Sequence, residues 1–202
     1  MLDRGAFLTS AASALAAAAV GSPLTSLAQT SSPGPTATPA PPLMIVDGFC
    51  TRNKVLPYDR PLELKMRVLD GPEFDLMNFR GNVVWLNIFA TWCGPCNSEQ
   101  PGVVAVSKKY FARGLRVIGI DAQESDNTVR DYRKKYGIDY PIAMDENGGF
   151  TGVLEQGANA QQSYPAHLLI NRFGFLSCYI QGSLRKPDDI VFEIEKLLGA
   201  PN

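Results

Sequence analysis

The feature that most narrows what this chain can fold into is a boundary inside it. There the apolar run Val83-Val84-Trp85-Leu86-Asn87-Ile88-Phe89-Ala90 gives way to Thr91-Trp92-Cys93-Gly94-Pro95-Cys96. A run of that length, rich in β-branched and aromatic residues, reads as a buried strand. Past Cys96 the period changes: Val103, Val106 and Tyr110 fall at i, i+3 and i+7, and Gly114 is placed to end a helix. The two cysteines therefore sit where a strand hands over to a helix.

That placement has chemical consequences. The first turn of a helix carries unpaired backbone N–H groups and the positive end of the dipole, and both favour a thiolate. Cys93, at the outer end of the pair, is expected to be the exposed, acidic nucleophile, its pKa drawn down from about 8.5 into the range of roughly 3.5 to 7.5. Cys96, one turn inward, is expected to close the disulfide. Pro95 suits the first turn because its missing N–H leaves no intrahelical bond unmade. A Cys-X-X-Cys pair can also be half of a zinc site, but structural zinc takes four ligands. Only Cys50, Cys178 and His167 remain as soft ligands, and none forms a second close pair. Redox chemistry is the reading favoured over a metal site or an inert structural disulfide, and no metal is expected.

The rest of the chain supplies a frame for the motif. Of the 202 residues, 1–28 read as a signal peptide or membrane anchor: Arg4, then Phe7-Leu8 and the alanine-rich stretch Ala11 to Val20, then Ser26-Leu27-Ala28 as a small-residue cleavage site. The apolar run falls short of the ~20 residues that span a bilayer, which favours cleavage. No cysteine precedes Cys50, which excludes lipoprotein attachment. Residues 29–42 are Pro, Ser, Thr, Ala and Gly, either a semi-extended tether or a plain disordered start of the mature chain. Residues 43–61 form an N-terminal extension holding Cys50, and 62–202 the globular domain. A formal charge of −1, with no basic run longer than Arg133-Lys134-Lys135, gives no sign of a nucleic-acid partner, and that triplet reads as a solvated helix face.

Within the domain, Leu62, Leu64, Met66 and Val68 alternate with polar residues as a half-buried strand, and Phe74-Asp75-Leu76 answers across the turn Asp70-Gly71-Pro72 as a hairpin. Leu115 to Ile120 is a second core strand. Asp126 or Asn127 is expected to cap the next helix, whose Val129, Tyr132 and Tyr136 share a face before Gly137. Strand, helix, strand implies a right-handed crossover and a parallel sheet core. Tyr140 to Met144 reads as a short strand and Phe150 to Gln162 as a helix followed by a loop. Ala166–Ile170 and Phe175–Gln181 form a hairpin about Asn171-Arg172-Phe173-Gly174, with Leu176, Cys178 and Ile180 on one face, and Pro187 opens a final amphipathic helix.

Phe89-Ala90-Thr91-Trp92-Cys93-Gly94-Pro95-Cys96 resembles the active-site segment of thioredoxin-fold proteins. The continuation Glu99-Gln100-Pro101 is closer to the extracytoplasmic thiol:disulfide oxidoreductases of the TlpA/ResA type. The likeness covers roughly Leu62 to Leu198. It implies an α/β thioredoxin-like fold, a central mixed sheet flanked by helices, here with an N-terminal β-hairpin extension. It makes Tyr164-Pro165 the cis-proline loop that lies against the active-site disulfide, so that Trp92, Gly94, Pro95, Tyr164 and Pro165 would contact incoming polypeptide. Glu99 matches a family glutamate that could take the proton of Cys96, or simply complement the helix dipole. Glu124 matches a second family glutamate near the pair. Asn87 stands where thioredoxin has a buried aspartate, and asparagine cannot ionise. His167, the only histidine, reads as a packed or edge-strand residue. Cys50 and Cys178 could pair in an oxidising compartment and pin the extension for about 2–4 kcal/mol, or remain two thiols with Cys178 buried.

The expectation is an exported, periplasmic or otherwise extracytoplasmic oxidoreductase using a Cys93/Cys96 dithiol. Its partners would be client proteins and an upstream thiol donor, and it would act as a monomer with no cofactor. The Gly94-Pro95 dipeptide favours reduction of client disulfides. By resemblance the clients include apocytochrome c or copper-site thiols. A general disulfide oxidant, and a non-turning-over module that binds peptide or metal, are the alternatives.

Overall fold

The computed structural model describes residues 49–157 and 164–199. The expected leader and linker, the first part of the extension and the loop after Gly157 lie outside the described residues. The fold is thioredoxin-like. A five-stranded sheet runs in the order β5-β4-β3-β6-β7, with β3 (Val83–Phe89), β4 (Leu115–Asp121) and β5 (Ile142–Met144) parallel and β6 (Ala166–Ile170) and β7 (Leu176–Gln181) antiparallel. Strand β3 is central. All seven of its residues are buried; it pairs with β4 from Val83 to Phe89 and with β6 from Val84 to Ile88. A strand covered on both faces can be apolar throughout, as this one is except at Asn87.

The two faces of β3 feed two cores. Val83, Trp85 and Phe89 pack beneath α1 (Gly94–Tyr110), α2 (Asp126–Tyr136) and α4 (Pro187–Gly199). Val84, Leu86 and Ile88 face Leu154 of α3 (Gly149–Gly157) and the segment from Leu56 to Leu76. Two successive right-handed crossovers, β3-α1-β4 and β4-α2-β5, step the same way along the sheet, so α1 and α2 share a face. Glycines end the elements where the backbone turns left-handed, Gly114 at φ 98° and Gly137 at φ 60°. Before Gly114 the chain passes through a 3-10 turn, Phe111–Arg113, which the sequence reading had folded into α1.

The alternation from Leu62 to Val68 persists as burial, but its ladder is shared between partners. Only β1 (Lys65–Met66) pairs with β2 (Phe74–Asp75). The next residues leave that partner for β5: Met144 N–H donates to Arg67 O and Leu69 N–H to Ile142 O, each at 2.8 Å. The expected hairpin thus also covers the edge of the main sheet. Two other expectations need correction. Ser125, not Asp126 or Asn127, caps α2, its Oγ accepting from Thr128 N–H at 3.3 Å. The Asp126 carboxylate is drawn instead to Arg67 at 2.6 Å and Arg130 at 3.3 Å. On β7, Leu169 opposes Cys178 but Ile170 opposes Leu176, a bulge that turns Leu176 to the opposite core from Cys178 and Ile180.

Cys50 and Cys178 are joined, S–S 1.95 Å, across 128 residues of chain. Beside the bond Thr51 N–H donates to Tyr179 O at 2.7 Å, and Asn53 Nδ2 donates to Leu154 O at 2.8 Å. The extension is therefore held to β7 by a covalent bond and to both β7 and α3 by hydrogen bonds. Replacing Cys50 and Cys178 together by alanine is expected to lower the unfolding free energy by about 2–4 kcal/mol. Guanidinium denaturation checks it; an unchanged midpoint would mean that the hydrogen bonds alone hold the segment.

Candidate functional site

Strand β3 ends at Phe89, and within four residues the chain is helical. Cys93 N–H closes the intervening turn on Ala90 O at 3.1 Å, and Cys93 itself is the N-cap of α1, its backbone extended at φ −76°, ψ 109°. Its Sγ accepts the Cys96 N–H at 3.2 Å. That is an orphan first-turn donor, satisfied here by sulfur rather than the usual oxygen. Pro95 lies in the same turn and brings no N–H to compete. Cys93 and Cys96 are bonded, S–S 2.09 Å, in the oxidised form.

Contrary to expectation, Cys93 is only 5% exposed in this form, and Cys96 2%. What faces solvent is the rim: Trp92 is 65% exposed, with Gly94 and Pro95 beside it. Trp92 and Tyr164 stand edge to face, centroids 6.0 Å apart, and with Cys93, Gly94 and Pro95 they line an open depression of about 210 Å³. The disulfide forms part of that lining. The Tyr164–Pro165 bond is cis. Tyr164 donates its hydroxyl to Glu155 of α3 at 3.3 Å.

The carboxylates occupy distinct positions. Glu124, three residues past β4, accepts Thr91 N–H at 2.5 Å and Thr91 Oγ1–H at 2.6 Å, while Asn97 Nδ2 donates to Thr91 O at 3.1 Å. Thr91, two residues before Cys93, is thereby held through every polar group it has. Beneath Glu124, Asp121 accepts the Glu124 N–H at 2.9 Å, and its other oxygen is buried without a hydrogen-bond partner. Burial pushes the Asp121 carboxyl up to about 7; the N–H it accepts opposes the rise, and the charges of Glu124 and Asp145 add to it.

Glu99 lies one turn past Cys96 on α1, on the same helical face. Its Oε1 accepts Leu184 N–H at 2.6 Å, and its Oε2 lies 3.3 Å from His167 Nε2. Asn87 is turned elsewhere. It donates to Gln100 Oε1 at 3.5 Å, and Gln100 in turn donates to the Tyr140 hydroxyl, whose pKa burial drives upward. The structure thus ties Glu124 to the cysteine turn through Thr91, places Glu99 one turn past Cys96, and gives Asn87 to a buried amide–phenol network. Thr91, Gln100 and Asp121 were not singled out in the sequence. Only Gln100 carried a signal, as a polar residue among the positions α1 buries.

Three kinds of comparison bear on this arrangement. The redoxin family model matches residues 45–193. Among curated proteins, the chain is 38% identical over 80 residues to the thiol-disulfide oxidoreductase ResA of Bacillus thuringiensis subsp. konkukian, covering 40% of this chain and 46% of that one. It is 32% identical over 106 residues to ResA of Bacillus anthracis, covering 52% and 58%. The chain therefore spans about half the length of these curated relatives. Among solved structures, a thiol:disulfide interchange protein of the thioredoxin family from Chlorobium tepidum TLS superposes with TM-score 0.59 at 32% identity, covering 69% of this chain and 98% of that one. A secreted thiol-disulfide isomerase from Corynebacterium glutamicum shares the fold, TM-score 0.63 at 21% identity, covering 70% and 86%.

The Asp121 carboxyl gives a test of the site's electrostatics. Folded, it ionises near pH 7; unfolded, near 3.8. Between those values the folded chain holds the extra proton, so stability falls as pH rises through the window. Asp121→Asn keeps an acceptor for Glu124 N–H and cannot ionise. Its stability relative to wild type is expected to rise from about pH 4 to 7 and then stay level. Chemical denaturation on both sides of the window reads this, and an equal difference throughout would show that the carboxyl ionises as an ordinary aspartate.

Proposed function

Since the chain belongs to the redoxin family, we propose that it is an exported thiol:disulfide oxidoreductase that reduces disulfides in partner proteins. One observation carries the reading: Cys93 Sγ sits at the N-cap of α1 against the Cys96 N–H, at the edge of an open, aromatic-walled depression. In the reduced protein the same N–H and the helix dipole stabilise a Cys93 thiolate. That thiolate attacks one sulfur of the client's disulfide. The client's other sulfur leaves as a thiolate, and a mixed disulfide remains on Cys93. Cys96 then gives its proton to Glu99 and attacks Cys93 Sγ, and the client's second sulfur leaves with the electron pair. The client departs with two thiols, and the protein keeps the Cys93–Cys96 bond until a thiol donor reduces it.

Trp92, Gly94, Pro95, Tyr164 and Pro165 form the surface offered to the client. Glu124 sets the cysteine turn through Thr91. The direction rests on the Gly94-Pro95 dipeptide, shared with thioredoxin, whose potential is near −270 mV. An extracytoplasmic site of action is supported by the leader-like residues 1–28 and by the Cys50–Cys178 disulfide, which suits an oxidising compartment. Within that compartment the proposed clients are cysteine pairs whose disulfide must be reduced to thiols before haem or copper is attached.

The test uses active-site variants in the native compartment. Cys96→Ser is expected to accumulate client proteins linked to Cys93, and Cys93→Ser to accumulate none. Equal capture by the two variants, or wild-type function retained by Cys93→Ser, would point to a binding module. A potential well above roughly −180 mV would make the protein an oxidant rather than a reductant.

A further inference from the structure

We propose that His167 is a positioning residue for the redox step: its ring holds the Glu99 carboxylate in place to receive the proton of Cys96. The inference deepens the dithiol reading above and rests on it. It starts from the tautomer. Trp85 Nε1–H donates to His167 Nδ1 at 3.3 Å, and an indole nitrogen can only donate. Nδ1 is therefore the acceptor, and the ring's single proton is on Nε2. Nε2 then presents its N–H toward Glu99 Oε2, 3.3 Å away, in a pocket where His167 is fully buried and the Glu99 side chain is 10% exposed.

Neither of those facing atoms has an aligned hydrogen bond in the oxidised protein. Leu184 N–H fixes the other carboxylate oxygen, which leaves Oε2 as the one free to take a proton. The groups facing the carboxylate come from every neighbouring element. Cys96 is on α1, His167 on β6, Trp85 on β3 and the Leu184 N–H in the segment after β7; Tyr132 on α2 has a phenol that the Glu99 charge helps push up. No lysine or arginine pairs with Glu99 among the described residues, so N–H groups alone face its carboxylate. Removing the one on His167 leaves Oε2 with no fixed position relative to Cys96, and a proton transfer needs its acceptor in place.

An aromatic disulfide that releases a coloured thiolate separates the steps in the reduced full-length protein. The first thiolate leaves when Cys93 attacks, the second when Cys96 resolves the mixed disulfide. His167→Leu is expected to slow the second release about tenfold or more near neutral pH. The first release is expected to stay within about twofold of wild type. His167→Gln, which restores an N–H toward Glu99, is expected to recover most of the rate. In a Glu99→Gln background, His167→Leu is expected to change nothing further. If His167→Leu does not fold, His167→Asn keeps an acceptor for Trp85, lacks the reach to Glu99, and carries the same expectation. Equal slowing of both releases, or a slowing that survives intact in the Glu99→Gln background, overturns the role of His167. Absence of both releases from wild type overturns the oxidoreductase reading, and this inference with it.

Discussion

The site depends on β3 being unable to move. It is paired along its length with β4 and over five residues with β6, and it is buried on both faces. Slipping by one residue would exchange the side chains of its two cores, placing Trp85 and Phe89 where Leu86 and Ile88 now pack. The strand's end therefore has a fixed position, and the helix must begin a fixed distance beyond it. Glu124 and Asn97 secure the short span between by taking up the polar groups of Thr91. The N–H groups at the start of α1 are thereby held in a fixed orientation beside Cys93.

Buried polar groups gather at the same end of the sheet. Cys93 follows β3 and Glu124 follows β4, in keeping with the tendency of open α/β sheets to place sites beyond the carboxyl ends of parallel strands. Around them lie Asp121 with Glu124, Glu99 with His167 and Trp85, and Asn87 with Gln100 and Tyr140. Such groups cost free energy in an apolar interior unless partnered. Three are not fully partnered, Asp121 through one oxygen, Glu99 through Oε2 and His167 through Nε2. Glu99 lies one turn past Cys96, and Asp121 reaches the cysteine turn only through Glu124 and Thr91. Away from the site, the polar groups of Asn53 and Asp145 are spent on holding segments together.

Much of this was legible in the residues. The succession of the core strands along the chain, the placement of the cysteines at a helix start and the glycines that end α2 and the turn before β4 follow from local periodicity and backbone preference. Three features were not. The face change at Leu176 comes from a bulge, which depends on how many residues oppose each other across two strands. The capping of α2 by Ser125 was missed because Asp126 is an equally good cap in isolation; Arg67, far away in sequence, claims its carboxylate. The burial of Cys93 depends on side chains from separate segments packing around the cysteine turn.

By itself, the sequence determined that a strand, a sharp turn and a helix would present two cysteines one turn apart, because hydrophobic period and the chemistry of helix ends act over a few residues. Tertiary structure alone decided which polar side chains attend them. Glu99 meets His167, and Glu124 meets Thr91, only after α1, β6 and the end of β4 have packed on β3. No short-range pattern specifies a contact between residues that distant in the chain.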